Sequence, residues 1–179
     1  MGEALIKFGD NMKKENIKSL FISELKDILD AEKQIIKALP KMVEAAEAPE
    51  LKDAFKNHLQ ETMEQVKRLQ KIFSLLGIGE SEEKCEAMHG LIEECQEAIK
   101  GYQKSALRDA ALISKAQRIE HYEISVYGTL RTFAKELELS EAIKLLQDTL
   151  EEESNADKAL TKIAEGGVIS TGINHKANE

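Results

Sequence analysis

Four long stretches and one shorter one carry apolar residues at i, i+3, i+4 and i+7, the spacing of helices that bury one face. The first predicted helix spans about Ile17 to Ala45, with Leu20, Phe21, Leu25, Ile28, Ala31, Ile35, Leu39 and Met42 as its stripe. Pro40 lies inside this pattern and should kink the helix or end it early. The second begins near Pro49, a residue suited to a first helical turn, and follows Phe55, Leu59, Val66, Leu69, Ile72, Phe73 and Leu76 to Gly77 and Gly79. A connecting segment carries the short helix, Cys85 to Tyr102, apolar at Met88, Leu91, Ile92, Cys95 and Ile99. The third long helix, about Ser105 to Glu136, turns Leu112, Ile113, Ala116, Ile119, Ile124, Tyr127, Leu130 and Ala134 inward. The fourth starts at Ser140 and runs through Ala142, Leu146, Leu150, Ala156, Leu160 and Ile163 until Gly166-Gly167 stops it.

Short turns make an antiparallel hairpin of the first two long helices and another of the last two. About 28 residues separate the hairpins, enough for one long crossover. The expected fold is all-α: a ferritin-like four-helix bundle of two antiparallel hairpins, with an additional helix on the crossover. Residues 1–16 read as an N-terminal extension, 17–165 as the bundle and 166–179 as a flexible polar tail.

Composition agrees with this and limits the partners. Of 179 residues only 4% are aromatic, and strand-favouring types are scarce beside Ala, Leu, Glu and Lys, which excludes an all-β fold. The net charge of −8 leaves no basic face for phosphates, so nucleic acid is not an expected partner. No apolar run approaches the roughly 18 residues of a membrane span. Cys85 and Cys95 fall on one helix about 15 Å apart, too far for a disulfide, and two free thiols suit a cytoplasmic protein. The wide apolar arc of the crossover helix suggests a homodimer.

The informative residues are acids placed where apolar side chains belong. Glu32 sits on the first stripe, four residues after Ile28 and three before Ile35. Glu120 and Glu123 share the stripe of the third long helix, with Asp109 two to three turns earlier. In the fourth, Leu146, Leu150, Glu153, Asp157 and Leu160 form one line, while Glu151 and Glu152 point to solvent. In the second, His58, Glu61 and Gln65 form a polar strip at the edge of the apolar face, with Thr62 nearer its centre. Counted from the turns at about 1.5 Å per residue, Glu32 is level with Glu61, Glu123 with Glu153, and Glu120 with Asp157. Buried carboxylates gathered at one depth repel and protonate unless something positive stabilises them. Lysine and arginine are not interleaved on these stripes; Arg131 reaches the inner edge only two turns away. A dinuclear metal centre supplies the charge, and oxygen-rich ligation suits iron or manganese. The alternative is that these acids are simply solvated.

The stretches Asp30-Ala-Glu-Lys-Gln34, His58-Leu-Gln-Glu-Thr62, Arg108-Asp-Ala-Ala-Leu112, Glu120-His-Tyr-Glu123, Ser125-Val-Tyr-Gly-Thr129 and Leu150-Glu-Glu-Glu153 resemble the YciF/YciE family of ferritin-like bacterial stress proteins. The resemblance runs from about residue 18 to 165 with the motifs in order. It implies a dimeric four-helix bundle with an additional helix, distantly related to rubrerythrins and manganese catalases. It also implies that Glu32, Glu61, Glu120 or Glu123, and Glu153 occupy the ligand positions of a dinuclear centre. One departure matters: ferritin-like sites take Glu-x-x-His from each of two helices. Here Glu61 is followed three residues later by Glu64, and Glu153 by Ala156. His58, one turn before Glu61, and Asp157 are the available substitutes. His121 points about 100° away from Glu120 and suits packing or support better than ligation. Tyr127 could bond a ligand or simply fill the core.

Two function classes follow. The protein is either a stress-response metal protein that handles oxygen species or peroxide at a dinuclear iron or manganese centre, or a non-enzymatic structural or adaptor protein with a vestigial site.

Overall fold

A computed structural model describes residues 16–80, 83–167 and 171–179, so the expected N-terminal extension lies outside the described residues except at Asn16. Among the described residues six helices follow in chain order: α1 (Ile17–Ala45), α2 (Pro49–Leu76), α3 (Glu86–Gly101), α4 (Ala106–Glu136), α5 (Ser140–Glu165) and α6 (Ile173–Lys176). Among the described residues the only β-type pairing is an isolated bridge between Gly166 and Thr171. The hairpins α1–α2 and α4–α5 lie side by side, α1 against α4 and α2 against α5, and α3 covers α1 and α4 from outside. The all-α bundle with its crossover helix is as expected, and the helix ends follow local chemistry. Asn16 and Ser19 cap α1 reciprocally, side chain to backbone, at 3.0 and 3.3 Å. Gly77 ends α2 in the left-handed conformation at φ 65°.

Pro40 does not end α1, which continues to Ala45. Its ring lies on the exposed face while Leu39, Met42 and Ala45 stay buried around it. Packing on both sides therefore outweighs one missing backbone hydrogen bond.

Asp109 proves to be a clamp rather than part of the acidic layer. Its Oδ1 accepts from the Glu47 backbone N–H at 2.8 Å and its Oδ2 from that of Ala48 at 2.7 Å, while Arg108 donates to the Ala45 carbonyl at 2.6 Å. The two residues thus tie α4 to the α1–α2 turn. Asp109→Ala should lower unfolding stability by about 2–4 kcal/mol, since two N–H groups lose a charged acceptor, and Asp109→Asn by roughly half. Urea unfolding curves check this; a loss near zero would mean that the turn holds without the clamp.

The crossover helix is fastened at its start. Asp30 accepts from the Cys85 N–H at 2.8 Å, Gln34 donates to both Asp30 and the Cys85 carbonyl, and Cys85 Sγ lies 3.1 Å from the Tyr122 hydroxyl. Met88, Ile92 and Cys95 are buried, with Leu91 and Ile99 partly so. The apolar arc behind the homodimer expectation is thus largely taken up within the chain. Both cysteines are free. No helix among the described residues is long and apolar enough to cross a membrane.

The stretch read as a flexible tail also differs from expectation. Over residues 171–179 the chain turns back, and α6 packs on α4 and α5 with Ile173 buried. A side chain at Gly172 would collide with the Glu165 backbone, so the close approach requires glycine there.

Candidate metal centre

Each long helix of the bundle delivers a polar group to one buried layer. α1 contributes Glu32, α2 His58, α4 Glu120 and Glu123, and α5 Glu153, all buried. His58 Nε2 stands 3.5 Å from Glu120 Oε1 and 4.0 Å from Glu153 Oε2. One ligand atom from each of His58, Glu120, Glu123 and Glu153 lies within 4.8 Å of all the others. Glu32 adjoins this group: it accepts a hydrogen bond from Tyr127 and is coupled electrostatically to Glu153 and Glu123.

The layer is under electrostatic load. Burial, then the charge of Glu153, pushes the Glu32 carboxyl up to about 8 against the hydrogen bond from Tyr127. Burial and neighbouring carboxylates hold Glu120 and Glu123 well above the usual carboxylate range. Burial likewise raises Glu153, opposed by His58. For His58 burial works downward, but the carboxylates of Glu120, Glu61, Glu153 and Glu32 around it together push it up to about 10.

Hydrogen bonding is incomplete in the same place. Glu32 Oε2, both His58 nitrogens, Glu120 Oε2, both Glu123 oxygens and Glu153 Oε2 are buried without a hydrogen-bond partner on the protein. Leaving such a group unpaired costs on the order of 1–3 kcal/mol, more if it is charged. Carboxylate oxygens and one imidazole converging from four helices are a donor set that fits iron or manganese.

Glu61 does not enter this layer. Its side chain is 45% exposed, and its Oε2 lies 3.8 Å from His58 Nδ1 on the solvent side. The inward row of α2 is Leu51, Phe55, His58, Thr62, Gln65, Leu69, Ile72 and Leu76, which brings the histidine in and leaves Glu61 at the rim. Asp157 is half-buried beside the layer, where it accepts from Gln117 at 2.9 Å and faces the exposed His121 at 3.4 Å. Glu152, expected in solvent, forms a fork with Arg68 across the α2–α5 seam at 2.6 Å on each side.

Gln65, which the spacing puts only in a polar strip at the edge of α2's apolar face, is a residue of the site. Fully buried, it donates to Glu153 and, at 3.1 Å, to Glu152. Tyr127 plays the corresponding part for Glu32. Both were visible as polar groups near an apolar face, but only the partner helices show which acid each one holds.

A family model described as a domain of unknown function (DUF892) matches residues 16–173. Protein YciF of Escherichia coli K12 is 45% identical over 154 residues, which are 86% of this chain and 93% of that protein. The crystal structure of this E. coli stress protein superposes with a TM-score of 0.80, covering 83% of this chain and 94% of that one. YcfI of Rhodopseudomonas palustris, which has been proposed to be a structural protein, is 38% identical with a TM-score of 0.82, covering 88% of this chain and 99% of its own.

Proposed function

The chain belongs to the DUF892 family, and from that premise we propose that it is a stress protein whose bundle core holds a dinuclear iron or manganese centre for handling oxygen species or peroxide. The carrying observation is the convergence of six buried, unpartnered ligand-type atoms on one layer: Glu32 Oε2, His58 Nε2, Glu120 Oε2, both Glu123 oxygens and Glu153 Oε2. When bound, such a pair of ions supplies one-electron redox steps and Lewis acidity toward oxygen or peroxide.

The chain's own residues prepare the layer. Tyr127 fixes one oxygen of Glu32 and leaves the other free, and Gln65 does the same for Glu153. Burial excludes water and shifts the carboxyls toward the protonated form, so a cation competes with protons for their oxygens. His58 must also give up its proton before it can ligate.

The competing reading is a structural protein with a vestigial site. It is favoured by Ala156 and Glu64 standing where second histidines would be, and by the description of the relative YcfI. Metal analysis separates the two. Protein loaded with iron(II) without oxygen, or with manganese(II), should retain about two ions per chain, a dinuclear stoichiometry, and Glu32→Ala clearly fewer. Retention of none by the wild type would leave the structural reading.

A further inference from the structure

Burial across the centre is graded, and the gradient has a direction. The side chain of Glu153 is fully buried, those of Glu120 and His58 keep 4% and 7% exposure, and that of Glu61 keeps 45%. Glu61 Oε2 lies 3.8 Å from His58 Nδ1, and the opposite nitrogen of the same ring lies 3.5 Å from Glu120 and 4.0 Å from Glu153. His58 therefore stands between a solvent-facing carboxylate and the buried ones, and neither of its nitrogens has a hydrogen-bond partner.

The other sides of this layer are covered or bridged by side chains. α3 lies over the α1–α4 face. The α4–α5 seam is tied by Gln117 to Asp157 and Thr161. Leu59 and Val66 of α2 pack against the apolar core. Along the α2–α5 seam, Arg68 meets Thr149 and Glu152, and Gln65 meets Glu152 and Glu153. Numbers rising on α2 pair with numbers falling on α5, so the helices are antiparallel there and Glu61 comes level with Ala156 and Asp157. The seam is barred at Arg68 and Gln65. One turn further along α5, the row Thr149 and Glu152 continues to Ala156, level with Glu61, whose side chain is a single methyl group.

We propose that Glu61 and His58 form the loading route of the centre through this seam, Glu61 capturing a divalent cation and His58 passing it to Glu120 and Glu153. The inference rests on the metal-binding reading above and assigns Glu61 a role in transfer, not in final ligation. A carboxylate at the mouth concentrates cations there and replaces part of their hydration. The neutral imidazole offers one lone pair, at Nδ1 or at Nε2 according to which nitrogen carries its proton. It can therefore ligate first on the Glu61 side and, once that proton moves to Nδ1, on the Glu120 side.

The test follows manganese(II) uptake by stopped flow, with a fluorescent chelator reporting the free ion, alongside the number of ions bound at equilibrium. Glu61→Gln should slow uptake about tenfold, the lower end of what a steering charge contributes, with the final stoichiometry unchanged. Ala156→Leu, which fills the seam from the opposite helix, should also slow it. Glu64→Gln, a substitution in an exposed pair with Lys67, should not. An unchanged rate in Glu61→Gln overturns the route. A matching fall in stoichiometry also overturns it, since Glu61 would then be a ligand. If wild type takes up no manganese(II) or iron(II), the metal reading itself fails, a result distinct from either of these.

Discussion

Iron(II) without oxygen, or manganese(II), at about 100 times its dissociation constant should stabilise the fold by about 2.7 kcal/mol, because the ion binds only the folded chain. For a domain of this size that corresponds to a rise of about 5–10 °C in melting temperature. Glu123 is the most informative position, since both of its oxygens are buried without partners. Glu123→Gln should abolish most of the metal-dependent rise. It should also raise the melting temperature of the metal-free protein, because one of the mutually repelling acids becomes a neutral amide. Glu151→Gln, on the exposed face of α5, should do neither. Melting curves of the three proteins with and without metal decide the matter, and equal gains in all of them would place the site elsewhere.

Metal-free protein should lose stability as pH rises from about 5.5 to 8, the reverse of ordinary acid denaturation. The direction follows from linkage. The Glu32 carboxyl moves from an ordinary 4.5 when unfolded to about 8 when folded, so the folded chain holds a proton that the unfolded chain releases. Its contribution is complete below about 4.5 and lost as pH climbs through about 8. Across that window one such group changes stability by up to about 1.4 kcal/mol per pH unit. Glu120, Glu123 and Glu153 are displaced in the same direction. His58, raised to about 10 from 6.5, adds a loss of the same sign at the upper end. Metal-loaded protein should show the opposite slope, since cations compete with protons for the same atoms. Urea unfolding at several pH values, with chelator and with manganese(II), separates the two. Rising stability in the chelated protein would mean that these acids are ionised and solvated.

Much of this architecture was legible in the residues. The start and end of α2 follow from Pro49 and Gly77, whose chemistry acts within a single turn. Glu32, Glu120, Glu123 and Glu153 were readable as inward because each interrupts a strong apolar line. The second helix was harder. Leu59 and Val66 drew the apparent stripe one residue aside, whereas the inward row accepts His58, Thr62 and Gln65 at its centre. Hydrophobicity cannot locate a face that is polar where it is most buried. The strip of His58, Glu61 and Gln65 therefore reads as one edge, although His58 and Gln65 are buried and Glu61 stays at the rim. Asp109 lies on the inward stripe where the spacing puts it, but its role was not legible, because its partners are backbone N–H groups of a turn 61 and 62 residues away. Spacing along one helix carries no trace of them.

The division of the layer between two hairpins has a consequence for the order of assembly. Glu32 and His58 belong to the α1–α2 hairpin, and the three acids Glu120, Glu123 and Glu153 to the α4–α5 hairpin. Each hairpin closes through a connection of three residues, so its contacts are local in sequence and quick to form. Until the hairpins dock, their inner faces remain wet and their acids hydrated. Repulsion and desolvation therefore fall on the late docking step, after most helical structure exists. A cation bridging the hairpins would then act as a latch, slowing their separation far more than it hastens their meeting.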